Sequence, residues 1–216
     1  MTDHRPVSAE RGHRWFARGY ERRGRRQEAT DHARDVRTRT AGGAHGRVLE
    51  VGAGTGFNFR YYPEDADVVA TEPDPEMLRL AQPRAREHGI DLRPAPSERL
   101  PFSDGEFDTV VSTGVFCAVD DAAAALAEVH RVLRPGGEVR FSEHVRARSG
   151  ARRAMQRTLD PIHYRLFRCH IGRDTLRLLH EAGFEIAELD HPRHADVQGV
   201  ARKEGQEAGS RRNTPR

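Results

Sequence analysis

The chain reads as an α/β fold: a doubly wound, mostly parallel, seven-stranded sheet with helices on both faces. Three observations predict it. From Arg47 onward, short apolar runs alternate with segments of helical period, the pattern of parallel strands joined by crossover helices. One of these runs, Val48-Leu49-Glu50-Val51, passes straight into the glycine turn Gly52-Ala53-Gly54-Thr55-Gly56. A second, Asp67-Val68-Val69-Ala70-Thr71-Glu72, ends in a carboxylate 18 residues after Gly54.

The elements follow in order. Residues 8 to 40 carry charged, helix-favouring side chains around a sparse apolar set (Trp15, Phe16, Ala17, Tyr20, Ala29, Ala33, Val36), which suggests one or two amphipathic helices lying over the domain. Strands are expected at 47–51 and 67–72, with a short helix after Gly56 between them and a helix beginning near Asp74. A short strand at about 91–95 precedes a strand at 107–113 and a helix at 120–134, whose inner face is Ala122, Leu126, Val129, Val132 and Leu133. Pro135-Gly136-Gly137 stops that helix before a strand at 138–144. A helical region at 149–168, a helix at 173–182 ended by Ala182-Gly183-Phe184, and a strand at 184–190 complete the pattern. A last strand at about 196–202 is left open. The chain divides into an N-terminal helical cap (1–41), a ligand-binding domain (42–202) and a basic tail (203–216), which has little apolar content and is expected to be disordered.

Composition bounds the function. A length of 216 residues suits one α/β domain with modest additions. The formal charge is only +3, yet arginine gathers at the ends, from Arg5, Arg11, Arg14, Arg18, Arg22, Arg23, Arg25 and Arg26 to Arg211, Arg212 and Arg216. Such ends suit acidic partners or lipid headgroups, or are simply solvated surface in an arginine-rich coding context. No run of about 18 apolar residues is present and the charged start lacks a signal-peptide core, so a soluble, cytoplasmic protein is expected. Cys117 and Cys169 are too few for a disulfide framework and lack metal-ligand spacing, which makes a reducing compartment the default.

The glycine turn and the distant carboxylate are a pair with a purpose. Glycines let the backbone turn tightly and approach a ligand, while N–H groups at the following helix terminus point at its polar atoms. The spacing is G-x-G-x-G, with Phe57 where a dinucleotide site needs a third glycine, which argues against a nicotinamide oxidoreductase. Glu72 stands where such folds accept ribose hydroxyls; alternatively, ahead of Pro73-Asp74-Pro75, it only opens a helix.

At this point the sequence resembles the class I methyltransferases dependent on S-adenosylmethionine, over roughly residues 13 to 203. Glu50-Val51-Gly52-Ala53-Gly54-Thr55-Gly56 is similar to the family's glycine motif and Glu72 to its ribose acid. Leu100-Pro101-Phe102-Ser103-Asp104-Gly105-Glu106-Phe107-Asp108 resembles its lead into the fourth strand, and Leu133-Arg134-Pro135-Gly136-Gly137 its turn before the fifth. Gly56-Phe57-Asn58-Phe59-Arg60-Tyr61-Tyr62-Pro63 and Ser142-Glu143-His144-Val145 look like the branch of small-molecule thiol methyltransferases. Asp160-Pro161, Cys169-His170 and Arg173-Asp174-Thr175 fall in that branch's order. Quinone and phospholipid methyltransferases are neighbouring branches.

The resemblance implies a Rossmann-like domain, S-adenosyl-L-methionine as cofactor and a set of roles. Gly52 and Gly54 would lie against the methionine moiety, Glu50 would orient its amino end and Glu72 would hold the ribose. The backbone around Ser97 and Glu98 would meet the adenine, with Met77 an apolar cover. Thr113, placed just beyond the fourth strand, would sit near the amino acid end, and Tyr20 matches a tyrosine that closes over the site. Two departures stand out. Pro96 replaces an acid that many relatives direct at the adenine amino group, and the segment His191 to Asp196, which relatives use to cover the acceptor, is short.

Methyl transfer from a sulfonium is an in-line displacement, so positioning the acceptor lone pair about 3 Å behind the methyl carbon is most of the catalysis. A thiol acceptor must also lose its proton. His144, following the fifth strand at the carboxyl edge of the sheet, is the first candidate base, with Glu143 to orient or stabilise it; the pair also reads as a structural cap on a loop. His163 and His170 fall in the region expected to cover the pocket, among twelve histidines that make bystanders common. Asp160 is a helix cap or a substrate contact. Cys117 matches a cysteine of relatives but also reads as a small buried residue, and Cys169 is ambiguous. No metal site is expected, because the histidines are scattered and neither H-x-x-x-H nor C-x-x-C occurs.

The expected acceptor is a small molecule: a thiol, or in the second place a quinol or lipid, with peripheral membrane contact through the arginine-rich N-terminus. Two noncatalytic alternatives stay open, a cofactor-binding domain without turnover and a nucleic-acid-binding protein. Nucleic acid is disfavoured by the lack of basic stretches interleaved with aromatics.

Overall fold

The computed structural model describes residues 14–145, 150–167, 169–193 and 196–205. The start of the cap and most of the basic tail therefore lie outside the described residues. Two helices come first, α1 (Arg14–Glu28) and α2 (Asp31–Arg39), the second capped by the Thr30 side chain, which accepts from the Ala33 N–H. Strand β1 (Arg47–Val51) leads through the glycine turn to a 3-10 turn at Phe59–Tyr61, shorter than a helix, and then to β2 (Asp67–Thr71). Helix α3 (Pro75–Glu87) begins where Asp74 caps it and Pro75 presets its first turn. Strands β3 (Asp91–Arg93) and β4 (Phe107–Thr113) precede α4 (Ala122–Val132), β5 (Leu133–His144), α5 (Gly150–Phe167) and α6 (Thr175–Glu181). The last described elements are β6 (Phe184–Arg193) and β7 (Asp196–Lys203).

These strands form one seven-stranded sheet in the order β3-β2-β1-β4-β5-β7-β6. The first five run parallel; β7 is antiparallel to both its neighbours. From β1 the chain winds outward to β2 and β3, then returns to place β4 on β1's other side. Between β1 and β4 the winding reverses, and the crevice there, beyond the strands' carboxyl ends, is where such sheets bind ligands.

Alternation along the strands fills two cores. Leu49, Val51, Val110 and Phe141 face α4 and α6, packing with Leu126, Val129 and Leu179. Val48, Ala70 and Val111 point to the other side, onto Ala81 and Ala85 of α3. Both faces are thus covered, which is why these strands carry continuous apolar runs.

Two expectations need correction. Pro135-Gly136-Gly137 does not separate helix from strand: Leu133 already pairs with Phe107, and pairing resumes at Glu138 opposite Thr109, so the turn is a bulge within β5. Of the segment compared above with a pocket cover, His191 to Arg193 belong to β6 and Asp196 opens β7, with Arg193 opposite Asp196. The open last strand is real and pairs with β5 over Glu138–His144.

Candidate active site

Gly52 and Gly54 hold φ of +60° and +58°, a region costly for any residue with a Cβ. The turn they make returns the backbone onto the end of β2. Ala53 N–H donates to the Thr71 carbonyl at 2.9 Å, and Gly54 N–H donates to Glu72 Oε2 at 2.8 Å. The other oxygen, Oε1, accepts from the Asp74 N–H at 2.8 Å. Glu72 lies just past β2 and is 7% exposed. Burial pushes its carboxyl up to about 7, against those two backbone hydrogen bonds.

A second buried carboxylate closes the other side. Glu50 accepts from Asn58 Nδ2 and from the Tyr62 hydroxyl, each at 2.8 Å. Burial likewise raises it to about 7. Asn58 Nδ2 also donates to Thr113 Oγ1 at 3.2 Å, and Asn58 Oδ1 accepts from Arg37 at 2.6 Å. Thr113 is the last residue of β4, not just beyond it. Glu50, the glycine turn, Thr113 and α2 are therefore one connected unit. Asn58 and Tyr62 stood in a motif without an assigned role, and nothing local to Arg37 marked it.

The remaining cofactor candidates frame this centre. Tyr20 on α1 lies against Gly54, its ring 3.3 Å from where a Cβ would stand. Met77 is buried in the first turn of α3. Ser97 is buried and donates to Glu98 at 3.4 Å, while the Pro96 carbonyl accepts from the Arg99 N–H, so this stretch is a local turn. Phe57 explains the missing third glycine: its buried ring carries the Arg84 guanidinium at 4.4 Å and anchors the cap instead.

At the end of β5, Glu143 and His144 part company. Glu143 is fully buried, and its carboxylate accepts from Ser112 Oγ and from the N–H groups of Val115, Phe116 and Cys117 at 2.9–3.1 Å. It therefore shapes the loop after β4. Burial raises its pKa, opposed by these donors. His144 instead exposes nearly half its side chain. Its Nδ1 lies 3.7 Å from Cys117 Sγ and 3.5 Å from Cys169 Sγ, and its Nε2 lies 3.5 Å from Asp196 Oδ1. The two sulfurs are 3.2 Å apart, both thiols free and buried. The Cys169 thiol as hydrogen-bond partner, then burial, push the Cys117 thiol well above its ordinary value.

The segment that brings Cys169 here is tied down from both sides. His170 N–H donates to the Cys117 carbonyl at 2.7 Å, and Arg173 donates to the carbonyls of Phe116 and Val119. His163 Nδ1 lies 2.8 Å from the Cys169 carbonyl oxygen. Asp160 holds His170 at 2.8 Å and accepts from the Gly172 N–H, so it braces the segment after α5 from within that helix. Spacing along the chain concealed the sulfur–imidazole cluster, because its members lie on three separate elements.

Comparison with known proteins agrees with this geometry. Residues 49–141 match the family described as Methyltransferase domain. Thiol S-methyltransferase TMT1A of Homo sapiens is 36% identical over 151 residues, covering 67% of this chain and 62% of that protein. Phosphatidylethanolamine N-methyltransferase of Cereibacter sphaeroides is 35% identical over 118 residues, 53% of this chain and 58% of the relative. The chain thus spans about three fifths of the length of these curated relatives. A crystal structure of a SAM-dependent methyltransferase of Thermotoga maritima superposes with a TM-score of 0.66 at 22% identity, over 89% of this chain and all of the other, and shows the shared fold. Glycine turn, the carboxylate after β2, sheet order and matched sequence together identify residues 49–141 as a methyltransferase domain, and the chain resembles the class I S-adenosylmethionine-dependent methyltransferases in sequence and fold.

Proposed function

We propose that this protein transfers the methyl group of S-adenosylmethionine to a small-molecule thiol. The observation that carries the cofactor half is the bond from Gly54 N–H to a Glu72 carboxylate that is buried yet keeps lone pairs for two ribose hydroxyls. Glu50, held by Asn58 and Tyr62, is the matching anion for the cofactor's ammonium end, beside Gly52 and Thr113. Met77, Ser97 and Glu98 are assigned to the adenine end, and Tyr20, from a cap spanning residues 1–41, to closure. His144 marks the acceptor end and Glu143 positions the loop facing it.

The thiol is supported by the relatives named thiol S-methyltransferases, of human and rodent origin, at 32–36% identity. A reducing, cytoplasmic setting belongs to this reading, in keeping with two unbridged cysteines. A lipid or quinol acceptor is the second reading. It is favoured by exposed Met155, Leu159 and Ile162, spaced along one side of α5 among arginines, a surface suited to anionic lipid. No described helix is long and apolar enough to cross a membrane.

Calorimetric titration with S-adenosylmethionine and its demethylated product, with Glu72→Ala as control, tests the cofactor site. Micromolar binding lost in the variant is the expected result. Methylation of alkyl and aryl thiols in detergent-free buffer is then expected; activity confined to phosphatidylethanolamine or quinol vesicles would overturn the thiol in favour of the second reading.

A further inference from the structure

The cluster of Cys117, His144 and Cys169 is more than a packing contact. Its three donor atoms lie within 4.8 Å of one another, drawn from the loop after β4, the end of β5 and the segment after α5. A zinc ion bound tetrahedrally has Zn–S near 2.3 Å and Zn–N near 2.0–2.1 Å, which places sulfur and nitrogen ligands about 3.5–3.6 Å apart and two sulfurs about 3.8 Å apart. The observed nitrogen–sulfur separations are 3.5 and 3.7 Å. The sulfur pair, at 3.2 Å, needs to open by only about half an ångström.

The surroundings also suit a metal. The Nε2 of His144 faces the Asp196 carboxylate while Nδ1 faces the sulfurs, the arrangement in which a carboxylate fixes the tautomer of a ligating imidazole. Glu143 and Arg173 hold the backbone that presents Cys117. Two soft sulfurs and an imidazole select zinc-class cations over magnesium or calcium.

We propose that Cys117, His144 and Cys169 bind one divalent zinc-class cation and leave its fourth position for the acceptor thiol. Three protein ligands with an open position characterise catalytic rather than structural zinc sites. The role of the open position rests on the thiol reading above. Val115, two residues before Cys117, packs against Gly52, so the site and the methionine end of the cofactor crevice share one loop. On coordination the acceptor R–SH loses its proton to water and binds as thiolate, since a metal-bound thiol is deprotonated near neutral pH. A thiolate sulfur lone pair then forms the new S–CH3 bond. The old bond from methyl to the cofactor's sulfonium breaks, its electron pair returning to that sulfur, and the neutral thioether leaves the cation.

The test is optical titration of chelator-stripped, phosphine-reduced protein with Co2+, with cofactor-product calorimetry on the same preparation. One equivalent of cobalt with thiolate charge-transfer absorption is expected, strengthening when 2-mercaptoethanol is added as a further thiolate. Cys117→Ser, Cys169→Ser and His144→Ala should each weaken cobalt binding by more than about 100-fold, and Asp196→Asn by about 10- to 100-fold. Retained binding of the demethylated cofactor shows that each variant is folded. Absence of cobalt binding by reduced protein that still binds cofactor product would overturn the site while leaving the methyltransferase reading intact. A Cys117–Cys169 disulfide resistant to reduction would overturn it too, and a cobalt spectrum unmoved by thiol would overturn the open position. Failure to bind cofactor product speaks against the proposed function instead.

Discussion

Glu21 on α1 and Arg84 on α3 form a two-point ion pair, with Arg84 Nη2 2.7 Å from Oε1 and Nη1 3.2 Å from Oε2. The same Nη1 donates to the Thr55 carbonyl at 2.7 Å, so one guanidinium links cap, helix and glycine turn. Both side chains are largely shielded, which lifts the pair above the negligible worth of exposed ones. Glu21→Ala leaves Arg84 half-satisfied and is expected to cost roughly 2 kcal/mol, or about 4–8 °C in Tm for a chain of this size. Hydrogen exchange in 14–28 should rise with it; unchanged exchange would mean that Phe57 and the apolar contacts hold the cap without the ion pair.

Glu50 and Glu72, each raised to about 7 from 4.5 by burial, set a pH dependence with a definite sign. A carboxyl that holds its proton longer when folded contributes most below its unfolded value. Stability of the free protein should therefore fall as pH rises from about 4.5 towards 7. Cofactor affinity should move the opposite way, because the sulfonium and ammonium charges favour both carboxylates ionised. Below pH 7, affinity is expected to drop by up to about tenfold per pH unit for each carboxyl, and binding should release protons. Calorimetry in buffers of different ionisation enthalpy reads that release, and Glu50→Gln should roughly halve it. Proton-neutral binding at pH 6.5 would mean that the two groups are already ionised.

Much of this site could be read from the chain because its chemistry is local. Gly52 and Glu72 each follow directly on a strand, Gly54 lies three residues past β1, and a turn with positive φ favours glycine. What escaped depends on return journeys of the chain. Cys117, His144 and Cys169 are 25 to 52 residues apart and meet only because β4 and β5 are neighbours and α5 folds back. Glu143 reads from the sequence as a support for His144 or a cap on a loop, because alternation along β5 fixes only which face it takes; that its partners include three backbone N–H groups of another loop is a tertiary fact. Strand β7 is left open by the sequence because Gly199 and Gln198 interrupt its apolar pattern; the Glu188 carbonyl stands too close for any Cβ on Gly199, so only glycine fits there.

Glu143 is expected to be the most damaging single truncation around the loop after β4. Glu143→Ala strands three buried N–H groups, each worth about 1–3 kcal/mol when unpaired, so a loss of several kcal/mol or insoluble protein follows. Glu143→Gln keeps one acceptor oxygen and should cost about half as much. If Glu143 positions the loop, Glu143→Gln should lower kcat with little change in the affinity for demethylated cofactor. A matching loss of cofactor affinity would place its influence on the glycine turn instead.

Tyr20 and Gly54 together predict how the cap answers the cofactor. The ring rests against the glycine turn and is exposed, so it can swing without unpacking the core. Cofactor binding should therefore change hydrogen exchange across α1, slowing it once the ring closes over the bound molecule. Tyr20→Ala removes that cover and is expected to weaken binding by about tenfold, near 1.4 kcal/mol, chiefly through faster dissociation. Tyr20→Phe keeps the ring and should bind nearly as the parent does. Gly54→Ala adds a Cβ to a backbone at φ +58° and against that ring, so it should lose binding outright while costing the fold only about 1–2 kcal/mol. Stopped-flow dissociation of the cofactor separates the two effects: a faster off-rate in Tyr20→Ala with an unchanged on-rate supports closure after binding. An accelerated on-rate with unchanged dissociation would instead make the ring an obstacle that the cofactor must displace.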